Sequence, residues 1–182
     1  MLTAEEINIV RESITDIPDF PKPGIIFRDI TSLIENTSAF MLVLDDIAAR
    51  YANRGITKIA APEARGFIFG AAVAAKLGVG LVLLRKPGKL PRKAISESYK
   101  LEYGENRIEC HESSVNPGDK VLLIDDLIAT GGTAVASANL IRRLGGTIKD
   151  AAFVINLKDL PGVANMESIG VKCSSIVEFE GE

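Results

Sequence analysis

Histidine is nearly missing from this 182-residue chain: His111 is the only one. That leaves little room for a histidine-based catalytic triad or a multi-histidine metal site. Cysteine is almost as scarce, and Cys110 and Cys173 lie too far apart to make a disulfide framework or a zinc pattern. No apolar run approaches the ~20 residues needed to cross a bilayer. The opening Met1-Leu2-Thr3-Ala4-Glu5-Glu6 is acidic where a signal sequence would be basic. An excess of positive charge is also lacking, since the formal net charge is −3, which argues against a protein that holds nucleic acid by overall charge. These absences predict a reduced, cytoplasmic protein with neither membrane nor nucleic acid as partner. Two nucleotide fingerprints are missing as well: there is no G-x-x-x-x-G-K-[ST] and no complete G-x-G-x-x-G after a strand. Internal repeats and low-complexity tracts are not found either.

What is present is ordinary in bulk and specific in places. Hydrophobic residues make up 47% and charged residues 25% of the chain, as in a soluble globular enzyme. A chain of this length buries roughly 70% of its unfolded surface, enough for one well-filled domain over residues 1–182. The most informative stretch is Val121 to Thr133, V-L-L-I-D-D-L-I-A-T-G-G-T. Val121 to Ile124 read as a buried strand, with Asp125 and Asp126 placed where that strand is expected to end. The small-residue turn Ala129-Thr130-Gly131-Gly132-Thr133 follows, then a helical pattern through Leu144. Fixed carboxylates beside unpaired backbone N–H groups could grip sugar hydroxyls and a phosphate together. The turn holds no lysine, so it is not the phosphate loop of a P-loop ATPase.

Elsewhere the punctuation predicts an alternating chain. Thr3 and Glu6 form a capping-box pattern for a helix ending near Asp16, before Pro18, Pro21 and Pro23. Residues 20–29 read as a stiff, extended arm. Ser38 is the expected cap of a second helix that stops at Gly55. Strands over 56–61 and 79–84 flank a helix over 66–77, a unit whose crossover should be right-handed. Residues 85–98 are basic with few structural signals. Short strands are expected around 99–103 and 107–111, and longer ones over 151–157 and 173–179. This order predicts an α/β fold with a mostly parallel, doubly wound sheet flanked by helices.

In such a sheet ligands lie beyond the carboxyl ends of the strands. Pro62-Glu63-Ala64-Arg65-Gly66 falls at one such end, with Arg65 at the mouth of a helix and suited to bidentate phosphate contact. Arg85 to Lys93 falls at another and carries five positive residues of nine. The acid pair and its turn fall at a third. Each feature also has a plainer reading. Paired Asp residues often cap turns, a basic stretch is often a solvated loop, Arg65 could be a surface pair partner, and Phe27 with Arg28 could be a core-and-surface pair. Cys110, Cys173 and His111 read as structural bystanders.

The thirteen-residue string resembles the ribose-phosphate signature of the type I phosphoribosyltransferases. Three further segments narrow the resemblance to the adenine phosphoribosyltransferases: F-P-K-P-G-I-I-F-R-D-I-T from Phe20, E-A-R-G-F-I-F-G from Glu63, and R-K-P-G-K-L-P with S-Y-K-L-E-Y-G within 85–104. The resemblance implies a purine salvage enzyme that transfers a 5-phosphoribosyl group from phosphoribosyl pyrophosphate to N9 of adenine. It implies the type I phosphoribosyltransferase fold, with an N-terminal helix and purine hood over 1–35 and a core over 36–182 carrying a flexible loop, 85–104. By the same resemblance Asp125 and Asp126 bind the ribose hydroxyls, and Ala129, Thr130, Gly131, Gly132 and Thr133 enclose the 5′-phosphate. Glu63, Ala64, Arg65, Lys86, Lys89 and Tyr103 bind pyrophosphate, with a cis peptide between Glu63 and Ala64. Ile26, Phe27 and Arg28 hold adenine, Phe27 by stacking and its neighbours by backbone groups. Arg65 and Glu102 are the expected catalytic residues, Glu102 handling the purine proton. Mg²⁺ is expected to be held mainly by substrate rather than by protein ligands, and the assembly to be a homodimer. An enzyme for another purine such as xanthine, or a non-catalytic sensor of phosphoribosyl pyrophosphate, are the alternatives. A regulator would need a DNA-binding module, for which the roughly 19 residues before the arm offer no room.

Overall fold

The computed structural model describes residues 1–100 and 105–181. The chain opens on α1 (Ala4–Glu12), fixed by the expected capping box: Thr3 Oγ1 accepts from the Glu6 N–H at 3.2 Å, and Glu6 Oε2 accepts from the Thr3 N–H at 2.7 Å. The helix stops at Glu12, short of Asp16, because Thr15–Pro18 forms β1 and pairs antiparallel with β2 (Ile26–Asp29). The segment expected as a lone extended arm is therefore one half of a hairpin. A short α2 (Thr31–Glu35) that the sequence did not signal leads into α3 (Thr37–Tyr51). Asn36, not Ser38, caps α3, its side-chain oxygen accepting from the Ala39 N–H at 3.1 Å. An Asn there satisfies an orphan N–H of the first turn as well as a Ser would.

The rest follows the predicted alternation, except that β8 begins at Thr147 instead of 151 and an unexpected α6 lies between the last two strands. Its elements are β3 (Lys58–Pro62), α4 (Arg65–Leu77), β4 (Gly80–Leu84), β5 (Ala94–Lys100), β6 (Glu105–His111), β7 (Lys120–Ile128), α5 (Gly132–Arg143), β8 (Thr147–Leu157), α6 (Gly162–Ser168) and β9 (Lys172–Phe179). Five strands form one parallel sheet in the order β4-β3-β7-β8-β9, while β5 and β6 pair separately as an antiparallel hairpin. The basic stretch is more ordered than its composition implied. It runs through a turn at 86–89 and enters β5 at Ala94, five residues before the expected strand.

Burial on both faces of the sheet explains why Val121–Ile124 reads as an unbroken apolar run. Leu122 and Ile124 enter a core shared with Val10, Val43, Ile47 and Phe69 from α1, α3 and α4. Val121 and Leu123 enter a second core with Leu140 and Ile141 of α5 and Met166 of α6. Each such side chain contributes about 1.5–3 kcal/mol when fully buried, so β7 is the fixed axis of the molecule.

That axis runs further than expected. The sequence placed the strand's end at Ile124, but β7 continues to Ile128 because the eleven-residue β8 keeps pairing with it, Asp125 opposite Phe153 and Ile128 opposite Asn156. On its other side the pairing with β3 stops at Leu123. Asp125 and Asp126 thus sit on backbone held from one side and open on the other. The chain leaves β3 toward β4 and leaves β7 toward β8, in opposite directions along the sheet. The crevice between their carboxyl ends is the point where doubly wound sheets take ligands.

Candidate active site

A cleft of about 330 Å³ occupies that crevice, lined by residues 62–65 after β3, by 125–134 from β7 into α5, and by Tyr99 and Asn106. Tyr99 and Asn106 are cross-strand partners on the β5–β6 hairpin, which brings them over the cleft together.

Asp125 and Asp126 have different surroundings. Asp126 is only 5% exposed, and its Oδ2 lies 2.8 Å from Nε of Arg65. Asp125 Oδ1 accepts from the Asp126 N–H at 2.9 Å. Burial pushes the Asp125 carboxyl well above the usual carboxylate range, and the neighbouring Asp126 charge adds to it. Gly66 makes this arrangement possible. A Cβ on Gly66 would stand 2.7 Å from Asp125 Oδ1 and 3.3 Å from the Ile124 carbonyl oxygen, so a side chain there would drive α4 off β7.

Arg65 links the acid pair to the hood. While Nε holds Asp126, the guanidinium carbon lies 5.4 Å from the centre of the Phe27 ring. Phe27 in turn meets Phe20 edge-on, with ring centres 5.2 Å apart. The Arg65 side chain stays 43% exposed, which leaves donors for an incoming anion. The Glu63–Ala64 peptide is cis, as the resemblance implied. Glu63 accepts from Arg85 Nε and from the Lys86 N–H, both at 3.1 Å, and the Arg85 hydrogen bond holds its carboxyl below the usual range.

The turn after β7 has the geometry of an anion site. Gly131, at φ +82°, sits as the N-cap of α5, and no side chain caps that end. The first-turn N–H groups of a helix have no partner within it, and the helix dipole adds partial positive charge.

Not every expected residue lines the cleft. Glu63, Ala64, Arg65, Asp125, Asp126 and the whole of 129–133 do. Ile26 and Phe27 stand outside it, Phe27 reaching it through Arg65. The Arg28 guanidinium is turned toward the C-terminal segment, where it pairs with Asp16, donates to the Glu180 carbonyl at 3.0 Å and lies 4.5 Å from the centre of the Phe179 ring. Arg28 therefore does not line the cleft, and its charge is spent on the C-terminal segment. Lys86 and Lys89 are exposed and contribute main-chain bonds to the 85–89 turn. Glu102 and Tyr103 lie outside the described residues. The sequence had Gly66 and Arg85 only as members of the 62–66 and 85–93 segments, without the contacts described here, and gave no role to Tyr99 or Asn106. Gly66 lay within the quoted E-A-R-G string, whereas Tyr99 and Asn106 meet the cleft only through hairpin pairing.

A family model for the phosphoribosyl transferase domain matches residues 31–179. An adenine phosphoribosyltransferase of Pectobacterium atrosepticum is 56% identical over 97% of this chain and 96% of its own length. The chain belongs to the adenine phosphoribosyltransferase family. Among solved structures, an adenine phosphoribosyltransferase from Thermoanaerobacter pseudethanolicus superposes with a TM-score of 0.90 at 43% identity, over 95% of this chain and 99% of that one. One from Saccharomyces cerevisiae, complexed with adenine and D-2,5-dideoxy-2,5-imino-altritol 1,6-bisphosphate, superposes at 0.88 with 30% identity, over 96% and 100%. The family's fold is thus the α/β architecture described above, with its five-stranded parallel sheet.

Proposed function

We propose that this cleft transfers the 5-phosphoribosyl group of phosphoribosyl pyrophosphate to N9 of adenine, releasing AMP and pyrophosphate. The observation that carries the reading is the meeting, in one crevice, of paired carboxylates, an uncapped helix N-terminus and a half-exposed arginine that touches an aromatic ring. The yeast relative, solved with adenine and a bisphosphorylated iminosugar, supports two adjoining places of that kind.

In this reading the backbone N–H groups of 130–133 and the hydroxyls of Thr130 and Thr133 hold the 5′-phosphate, and Asp125 and Asp126 accept from the ribose hydroxyls. The C1–O bond to pyrophosphate breaks as the N9–C1 bond forms, and the N9 proton leaves. Positive charge grows on the ribose and negative charge on the leaving group. Arg65 faces the latter, and such preorganised charge counts for several kcal/mol in a site that excludes water. Phe27 covers the purine face. Among the described residues no cluster of three or more His, Cys, Asp or Glu could hold a metal ion. The two adjacent carboxylates suit a Mg²⁺ that arrives on substrate oxygens, and that ion, when bound, neutralises charge on the leaving pyrophosphate. The purine proton is assigned to Glu102 on resemblance, so Glu102→Gln should lower turnover well beyond threefold; a smaller change removes Glu102 from the chemistry.

No helix among the described residues is long and apolar enough to cross a membrane. The free thiols of Cys110 and Cys173, both pushed up to about 11 by burial, are compatible with a reducing cytoplasm. A homodimer is the proposed assembly, and sedimentation at monomer size alone would reject it. The decisive assay incubates the protein with phosphoribosyl pyrophosphate and adenine, hypoxanthine, guanine or xanthine in turn. Pyrophosphate release with adenine alone is expected. Release with another base in its place would move the enzyme to that base, and no release with any would leave a sensor.

A further inference from the structure

We propose that α6 is a positioning element for the 5′-phosphate turn, and that Gly162 and Asn165 aim its N–H groups. The inference rests on the phosphate role given to that turn above. Among the described residues, no side chain of the turn itself hydrogen-bonds to the backbone of 129–131. Two contacts from α6 set its peptide planes from behind. Asn165 Nδ2 donates to the Thr130 carbonyl oxygen at 2.9 Å. Gly162, buried, lies so close that a Cβ on it would stand 2.3 Å from the Ala129 carbonyl oxygen. Gly131 is packed into the same contact, since its own Cβ would stand 2.9 Å from Gly162 Cα.

Both peptide units are trans, so each N–H points opposite to its C=O. With the carbonyls of Ala129 and Thr130 turned toward α6, the N–H groups of Thr130 and Gly131 point to the other side, where the cleft lies. An uncapped helix end needs this fixing, because its donors bind an anion well only if they already face it. Asn165 stands 35 residues from its partner and does not line the cleft, so it acts through the turn and not on substrate.

Asn165→Leu removes the donor at nearly constant size and adds no charge. The expected result is a rise of about three- to fivefold in the KM for phosphoribosyl pyrophosphate, the size of one lost neutral hydrogen bond. The Kd for AMP, which carries the same phosphate, should rise in the same proportion by calorimetry. The KM for adenine should stay within about 1.5-fold, and kcat within about twofold. Gly162→Ala should act in the same direction and more strongly; should that variant not fold, Asn165→Leu decides alone. Unchanged KM and Kd for both phosphate ligands in Asn165→Leu, or a loss of kcat alone, would overturn the proposal. A parent protein that fails to bind AMP would sink the phosphate reading and this inference with it. A parent that binds AMP while the variants match it would sink this inference only.

Discussion

The two halves of the cleft are built in different ways. The half proposed for sugar and phosphate is nine consecutive residues, Asp125 to Thr133, on a strand buried on both faces and a helix start packed against α6. The half proposed for the base is a hairpin with Phe20 and Ile26 both exposed, joined to the other half through the side chain of Arg65. Groups that must hold charge and hydroxyls at fixed distances sit on the rigid axis. The face that must admit and release a flat ring sits on a hairpin. Arg65 touches both Asp126 and Phe27, and in the proposed reading it couples the base site to the leaving-group site.

Three substitutions probe this contrast, beginning with the residue the halves share. Arg65→Ala should lower kcat by about 10²- to 10³-fold, the usual cost of removing a preorganised charge from a transition state. A fall under about fivefold in pyrophosphate release would take Arg65 out of the chemistry and leave it a structural tie to Asp126. Phe27→Ala acts on the base half and leaves the Arg65–Asp126 pair in place. It should raise the KM for adenine by about tenfold, as loss of one base–aromatic stack does, with little change for phosphoribosyl pyrophosphate. Equal changes in both constants would mean that the halves are not separable.

Asp125→Asn probes the rigid half without substrate. Because burial and the Asp126 charge raise the folded-state pKa of Asp125, the folded protein binds that proton more tightly than the unfolded chain does. The ionised carboxylate therefore costs stability above its raised pKa, and the cost fades as pH falls into the ordinary carboxylate range. The variant should melt about 2–4 °C higher at pH 7–8, with the gain shrinking toward pH 4, even as it binds ribose more weakly. A lower melting temperature at neutral pH would mean that the carboxylate is a net support of the fold.

The same contrast governs what could be read from the amino-acid string. The β7–α5 segment was legible because its chemistry is contiguous: apolar run, acid pair, glycine turn and helix follow one another. Even there the strand's end was misplaced, since what carries β7 to Ile128 is the length of β8, a non-local fact. The capping box of α1 was legible for the same local reason. The β1–β2 pairing was not, because three prolines hid a strand that folds back on the nearby Ile26–Asp29. Nor was the orientation of Arg28, which depends on Phe179 and Glu180 at the far end of the chain. Asn165 gave no signal at all, since nothing in its local sequence marks a contact with Thr130.

A crystal structure with AMP bound would display both halves of the cleft at once. The account predicts the 5′-phosphate on the N–H groups of 130–133, the ribose hydroxyls on Asp125 and Asp126, and the purine against Phe27. A phosphate seated on Arg65 with the turn at 129–133 empty, or a nucleotide lodged outside the β3–β7 crevice, would contradict it.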